Sequence, residues 1–377
     1  ALVLAPWFKA RPEVNNMFLA LHEELLDFCK FMAPTPEEMA LRKEVIARVT
    51  RCGREVFGDQ IEVQMYGSFY TGLSVYDGDL DICMNSVPMA DKPRALRTLA
   101  DVMLKRELVA DIEVRASAKF PILACTDRAT GIKYDVNMNI QDPTDTSDWV
   151  AQQSDKYPAL KPLLLFLKVF LRQRDVQETF TGGVGSYLLT VMIVAFLNQH
   201  NSSVGREANS ITNLGCLLHD FFRHYGRNFN SMTNVVSVTR PNLKKEDKYW
   251  VDRSKIWALS VESPLNPDDD IGGRVFQWRA VKNVFSHAMK CVQSLAPRRG
   301  RPAYDPQTSI VCALHLINAE HPCITARKTS LTDGLPSALS AADIRLAAAA
   351  AEREKDEAEV GIAAPPAKRL KTTLGGW

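Results

Sequence analysis

Apolar positions along the chain fall into three textures. Val14, Phe18, Leu21, Leu25, Phe28 and Met32 recur at three- and four-residue steps, the spacing of an amphipathic helix over residues 14–33. Pro34 and Pro36 stop it, and a second helix is predicted from Glu37 to Phe57. The texture then shortens to β-like runs at Ile61–Tyr66, Leu80–Met84, Asp111–Ala116, Phe120–Cys125 and Ile132–Asn139, with a helical stretch at Arg94–Arg106. Residues 60–140 therefore read as a small mixed sheet with covering helices. From Leu160 the pattern is helical again, at 160–173, 184–200, 211–225 and 274–295, interrupted by loops at 201–210 and 230–273. Ala338–Val360 is an Ala-rich, charge-laced helix candidate, and 361–377 has the Gly/Pro/Lys composition of a flexible tail.

Composition narrows the classes. A chain of 377 residues has room for two domains and a remainder, and 46% apolar with 24% charged residues is a globular balance. Lys and Arg number 46 against 44 Asp and Glu, so the net charge of +2 does not announce tight, phosphate-driven binding. Eight Cys without a C-x-x-C pair read as free thiols in a reducing compartment. Cys312-x-x-His315 with His321-x-Cys323 matches no standard zinc spacing. The longest apolar stretch, Val184 to Leu197, is shorter than the roughly 20 residues of a membrane span, so no membrane partner is expected. No signal-peptide pattern opens the chain, and a start at Ala1 rather than Met reads as a piece of a longer protein.

The acids carry the chemistry. Asp79 and Asp81 stand two apart in a predicted strand, so both carboxylates project from one face while Leu80 and Ile82 face a core. Paired carboxylates repel each other unless a cation bridges them. Upstream, Gly67-Ser68 follows a predicted strand; Gly permits close approach, and the hydroxyl and backbone N–H groups can hold an anion such as phosphate. Asp135, in the run Ile132–Asn139, is the candidate third carboxylate. Three acids can hold two ions, Mg2+ or Mn2+, one activating a hydroxyl and one clamping a triphosphate. An isolated D-x-D is more often a solvated strand end; the Gly-Ser turn and the strand Asp tip the balance.

This arrangement resembles the nucleotidyltransferases of the DNA polymerase β superfamily. Phe69-Tyr70-Thr71-Gly72-Leu73, directly after Gly67-Ser68, narrows the resemblance to the noncanonical poly(A) polymerases of the TRAMP type. Pro6-Trp7, Leu21-His22-Glu23-Glu24, Asp27-Phe28, the run from Phe180 to Tyr187, Leu214-Gly215, Phe221-Phe222 and Tyr225-Gly226 follow in the family's order, so the likeness covers about residues 5–295. It implies an α+β fold: a nucleotidyltransferase palm, a mixed β-sheet with helices, at 36–150, and a mostly helical central domain at 151–330, with a cleft between them. An N-terminal helix, 1–35, would pack with the central domain, and 331–377 would be the Ala-rich helix and basic tail.

The resemblance also implies roles. Gly67 and Ser68 would bind the triphosphate, and Asp79, Asp81 and Asp135 would be the catalytic metal ligands. Lys168 and Arg172, four apart on one helix face, would reach the β- and γ-phosphates, unless they are simply exposed bases on a core helix. Ser186 would reach phosphate and Tyr187 would stack on the base, a buried core tyrosine being the plainer account. Thr146 and Ser147 fall where related uridylyltransferases carry ribose and base contacts, although a helix N-cap explains either equally well. Arg115 and Lys119 align with bases flanking the RNA end, or are solvated strand residues. Pro264–Gly272 takes the place of the nucleotide recognition motif, with Asn266, Asp269 and Asp270 as its base-facing groups. Here Ser263 replaces an Asp, Asp269 an Asn and Gly273 an Arg, and Asp142-Pro143 replaces the usual Asn-Gly. An ionised Asp269 only accepts hydrogen bonds, from the adenine amino group or from uracil N3–H.

The expected activity is template-independent RNA 3′-adenylation from ATP by two-metal catalysis. The alternatives are a terminal RNA uridylyltransferase and, in another class, an inactive RNA-processing scaffold. The chain carries no zinc knuckle or other RNA module, so the resemblance implies a zinc-knuckle RNA-binding partner and a helicase alongside. Pro365-Pro366-Ala367-Lys368-Arg369-Leu370-Lys371 reads as a nuclear import signal. The small charge surplus implies a weak, salt-sensitive and distributive hold on the RNA 3′ end.

Overall fold

The computed structural model describes residues 5–116, 120–203, 213–294 and 304–332. Helix α1 (Met17–Met32) begins later than its apolar spacing, because the Asn16 side chain accepts from the Phe18 and Leu19 N–H groups and caps it there. Helix α2 (Pro36–Phe57) opens with a reciprocal Thr35–Glu38 capping box and a proline in its first turn. Strand β1 (Glu62–Tyr66) runs into the short helix α3 (Gly67–Tyr70), followed by β2 (Leu80–Asn85), α4 (Lys92–Lys105), β3 (Val109–Arg115), β4 (Ile122–Asp127) and β5 (Lys133–Met138). The remainder is helical: α5 (Asp145–Lys156), α6 (Leu160–Arg172), α7 (Ser186–Ser203), α8 (Leu214–Arg223), α9 (Trp278–Ser294), α10 (Ile310–Ala313) and α11 (Pro322–Thr332).

The sheet has the order β1-β2-β5-β4-β3. Strands β2 and β5 pair in parallel, and the other neighbours pair antiparallel. One sheet face carries Leu80, Ile82, Tyr134 and Val136, buried with Val45 and Val49 of α2 and Leu96 and Leu99 of α4. Alternation then sends Asp81 and Asp135 to the opposite face.

A second core gathers α1 and α6 to α10 around Leu25, Phe28, Phe166, Phe170, Phe222 and Phe285. Helix α6 is apolar on most sides, as a central helix must be, and Lys168 and Arg172 are charges set four apart within it. The turn at residues 71–79 is held between the two cores. Tyr76 donates its N–H to the Met32 carbonyl (2.8 Å) and its hydroxyl to the Cys323 carbonyl (2.9 Å). Arg327 of α11, almost wholly buried, fastens the α1–α2 corner through the Phe31 carbonyl (2.7 Å), the Ala33 carbonyl (2.6 Å) and Glu38 (2.5 Å).

Two departures from the sequence reading stand out. Helix α5 was not predicted, since only Ser147 and Val150 of its residues are buried and no apolar stripe marks it. The stretch 230–273 is more ordered than a loop: isolated bridges join Val236 to Val261 and Glu262 to Asp270. The expected helix Ala338–Val360 and the tail with Pro365–Lys371 lie outside the described residues. Among those that are described, no helix is long and apolar enough to cross a membrane.

Candidate active site

Sheet register sets the acids. Asp81 on β2 lies directly opposite Asp135 on β5, on adjacent parallel strands. Asp79 sits just before β2 rather than inside it, where the chain enters the sheet. Arg42 fixes that entry: its guanidinium donates to the Gly78 carbonyl (2.6 Å) and to the Tyr76 carbonyl. The sequence reading passed over Arg42, although its place in the apolar spacing Arg42-Val45-Val49-Cys52 was the available signal.

The electrostatics of the acids are strained. Burial raises the Asp81 carboxyl to about 7, Asp135 and Asp79 add to the rise, and Lys168 opposes it. Asp79 is raised by burial and by Asp77 and Glu178, with Lys133 and Arg42 opposing. Burial and Asp79 raise Asp135, against Arg115. Carboxyls raised by burial and by one another's charge are relieved by a cation, and hard oxygen donors suit Mg2+ or Mn2+. Among the described residues no group of three His, Cys, Asp or Glu side chains is placed to hold a metal ion by itself. Magnesium bound with a nucleotide takes only one or two carboxylates, the phosphates completing its shell, so an open row of acids fits that use.

Gly67 packs against this row. Its φ is +70°, and a Cβ there would lie 1.9 Å from Asp81 Oδ2, so only glycine lets the turn lie on the carboxylate. The Gly67 N–H, expected to meet an anion, instead donates to Ser147 Oγ at 2.8 Å. Ser147 is thereby corrected as an N-cap and as an open ribose contact: it is buried inside α5 and ties that helix to the turn. Thr146 also lies within the helix, which Thr144 precedes, and its side chain is exposed. Ser68 is half-buried beside Gly67.

Beside the acids, Lys168, Glu178, Thr179, Gly185 and Ser186 line a cavity of about 220 Å3. Lys168 is half-buried, and desolvation lowers its ammonium to about 8 although Asp81 and Asp77 raise it; it donates to the Leu73 carbonyl at 3.2 Å. Arg172, expected on the phosphates, is engaged by Asp77 at 2.7 Å. Tyr187 follows Ser186 at the start of α7, its ring edge-on to Trp149 with centroids 6.2 Å apart. Its buried hydroxyl lies beside Ser263 and Asp269 without a well-formed hydrogen bond. The segment at 263–270 therefore meets Tyr187, the neighbour of the cavity-lining Ser186.

Within that segment the three expected base-facing groups differ. Asn266 and Asp269 are exposed. Asp270 is turned inward, its Oδ1 accepting from Val261 N–H (2.9 Å) and Gly272 N–H (2.8 Å), so it shapes the turn. Arg115, at the end of β3, pairs with Glu113 at 2.8 Å and shares the field of Asp135 and Asp79. Lys119 lies outside the described residues.

A mixed sheet presenting three acids beside a Gly-Ser turn is the palm of a nucleotidyltransferase. Residues 21–147 match the family model of the poly(A) RNA polymerase, mitochondrial-like, central palm domain, and residues 213–269 match that of the Cid1 family poly A polymerase. The poly(A) RNA polymerase CID14 of Cryptococcus neoformans is 32% identical over 272 residues, which cover 71% of this chain and 35% of that protein. The chain thus spans about a third of that relative's length. The solved polymerase core of TRAMP, an RNA surveillance complex, superposes with a TM-score of 0.72 at 23% identity, over 82% of this chain and 98% of that one. A Cid1 poly(U) polymerase bound to MgATP gives 0.65 at 18% identity, over 75% and 96%. The chain thus resembles the Cid1/TRAMP-type noncanonical poly(A) polymerases through its palm and Cid1-family regions.

Proposed function

We propose that the protein is a template-independent RNA 3′-adenylyltransferase that joins AMP from ATP to a 3′-hydroxyl and releases pyrophosphate. The observation that supports this most is the pair Asp81 and Asp135 set by strand register, with Asp79 at the entrance to β2, beside a polar cavity with Lys168 and Ser186. Asp79, Asp81 and Asp135 would hold the divalent ions, with Asp135 on the side of the attacking hydroxyl, and ions held there would supply a lowered hydroxyl pKa and stabilisation of the departing charge. Gly67 keeps the turn flat against Asp81, and Arg42 keeps Asp79 at the sheet entrance. Lys168 supplies a half-buried positive charge facing the phosphates, and Tyr187 forms the wall on which the base rests.

Base choice rests on the 263–270 turn. Asp269 accepts from an adenine amino group in this reading. The same acceptor serves uracil N3–H, and the fold is shared with a poly(U) polymerase, so uridylyl transfer is the second reading. Likeness to the polymerase core of TRAMP, an RNA surveillance complex, supports RNA as the substrate and work beside partners in such a complex; in this reading those partners are a zinc-knuckle RNA-binding protein and a helicase, and the setting is nuclear.

Substituting Asp79→Ala or Asp135→Ala tests the chemistry. Extension of an RNA primer by each variant should fall by about a thousandfold or more, with the circular dichroism spectrum and melting curve retained. Undiminished extension by either variant would refute the assignment.

A further inference from the structure

Lys248 is buried with its ammonium between two partners. It pairs with Glu262 Oε1 at 2.7 Å, the two side chains being only 7% and 5% exposed. It also donates to the Pro267 carbonyl at 2.6 Å. Trp250 places its indole N–H on that same carbonyl at 3.2 Å, and the Lys248 ammonium lies 5.5 Å from the Trp250 ring. Glu262 is held from behind by the Ser237 hydroxyl (2.6 Å) and by Arg240. Burial pushes the Glu262 carboxyl up, but the bonds from Lys248, Ser237 and Arg240 outweigh it and hold it below its ordinary value. Glu262 is also bonded through its backbone, its N–H meeting the Val236 carbonyl at 2.9 Å.

A buried cation that spends its bonds on a carbonyl is a fastener, since that carbonyl gains a charge-assisted bond which fixes the turn on either side. Pro267 stands between Asn266 and Asp269, two of the exposed polar residues of the turn beside Tyr187. Among the described residues no side-chain hydrogen bond to Asp269 holds it; its backbone is closed by Asp269 N–H to the Asn266 carbonyl and Ser263 N–H to the Asp269 carbonyl, both at 3.0 Å. The Pro267 carbonyl is where this turn meets the buried network.

We propose that Lys248, with Trp250 beside it, is a specificity-positioning residue. It touches neither nucleotide nor metal, and fixes the height of the 266–269 turn over the base so that one base edge is favoured. The inference rests on the nucleotidyl-transfer reading above. Loosening the turn should cost discrimination, while the acids on the sheet keep their chemistry.

The test measures kcat and KM for single-nucleotide extension with ATP and with UTP, in wild type, Lys248→Met, Lys248→Arg and Trp250→Phe. The kcat/KM ratio of ATP to UTP should fall by about tenfold in Lys248→Met, chiefly through KM for the favoured nucleotide, with kcat little changed. Lys248→Arg, which can keep both bonds, should recover most of the ratio, and Trp250→Phe should show a smaller fall in the same direction. Glu262 keeps Arg240 and Ser237 in every variant. If Lys248→Met fails to fold, Trp250→Phe carries the test alone, because it removes one donor from a half-buried side chain. An unchanged ratio, or an equal loss of kcat with both nucleotides, overturns the proposal. Wild type that extends RNA with neither nucleotide overturns the underlying activity instead.

Discussion

The sheet that carries the acids and the 263–270 turn beside Tyr187 are built in opposite ways. On the sheet, the two strand acids are set opposite each other by a parallel backbone ladder, and the third by Arg42 on the two carbonyls before it. In the turn, Asn266 and Asp269 ride on irregular backbone whose height depends on Lys248, Trp250 and Glu262. A ladder tolerates surface change and holds a fixed spacing. A side-chain network is adjustable, one substitution at a time. The difference teaches that the chemistry and the choice of base can vary separately in this protein.

The largest expected effect lies on the sheet side. The losses in Asp79→Ala and Asp135→Ala should be equal with all four nucleotides; a loss confined to one base would break the separation. Gly67→Ala comes next. Its methyl group would push Asp81 aside from a contact at 1.9 Å, and a displacement of about 1 Å at a reacting centre costs about a hundredfold in rate. Single-turnover extension should show that loss without a change in nucleotide preference.

Metal binding should follow pH with a defined sign. Asp81, raised to about 7, is protonated below that value, and a cation must displace the proton. Apparent Mn2+ affinity, read by calorimetry on the nucleotide-free protein, should therefore rise with pH by up to about tenfold per unit below 7 and level off above it. A flat profile from pH 6 to 8 would remove the electrostatic argument for the site.

Smaller effects belong to the connections. Asp269→Ala should move the ATP to UTP ratio by about fivefold and leave kcat with the better nucleotide nearly unchanged. Ser147→Ala loses one hydrogen bond to the Gly67 amide, worth about 1 kcal/mol, and should raise KM for nucleotide by about fivefold. An effect of Ser147→Ala on base preference alone would place Ser147 with the turn instead of the sheet.

The same contrast governs what the sequence made legible. The acids could be read because period-two alternation and strand position fix their direction, and Gly67 because a glycine before a short polar turn has few other uses. The helices with long apolar stripes, α1, α6 and α9, were read close to their observed bounds. Helix α5 was not, having almost no buried stripe of its own. The pairing of β2 with β5 was also hidden, because the order of strands depends on contacts distant in sequence. Arg42, Asp77 and Lys248 were missed for a related reason: each is a charge that acts through a carbonyl or partner far along the chain. Asp270 was misread as base-facing because sequence cannot tell an outward carboxylate from one that closes its own turn.

The most direct test of the central claim is single-nucleotide extension of an RNA primer with a free 3′-hydroxyl, run in Mg2+ with each of the four nucleoside triphosphates separately. The structure predicts extension that depends on the metal, with ATP used in preference to UTP, GTP and CTP. Extension with none of the four, or UTP used ahead of ATP, would contradict it.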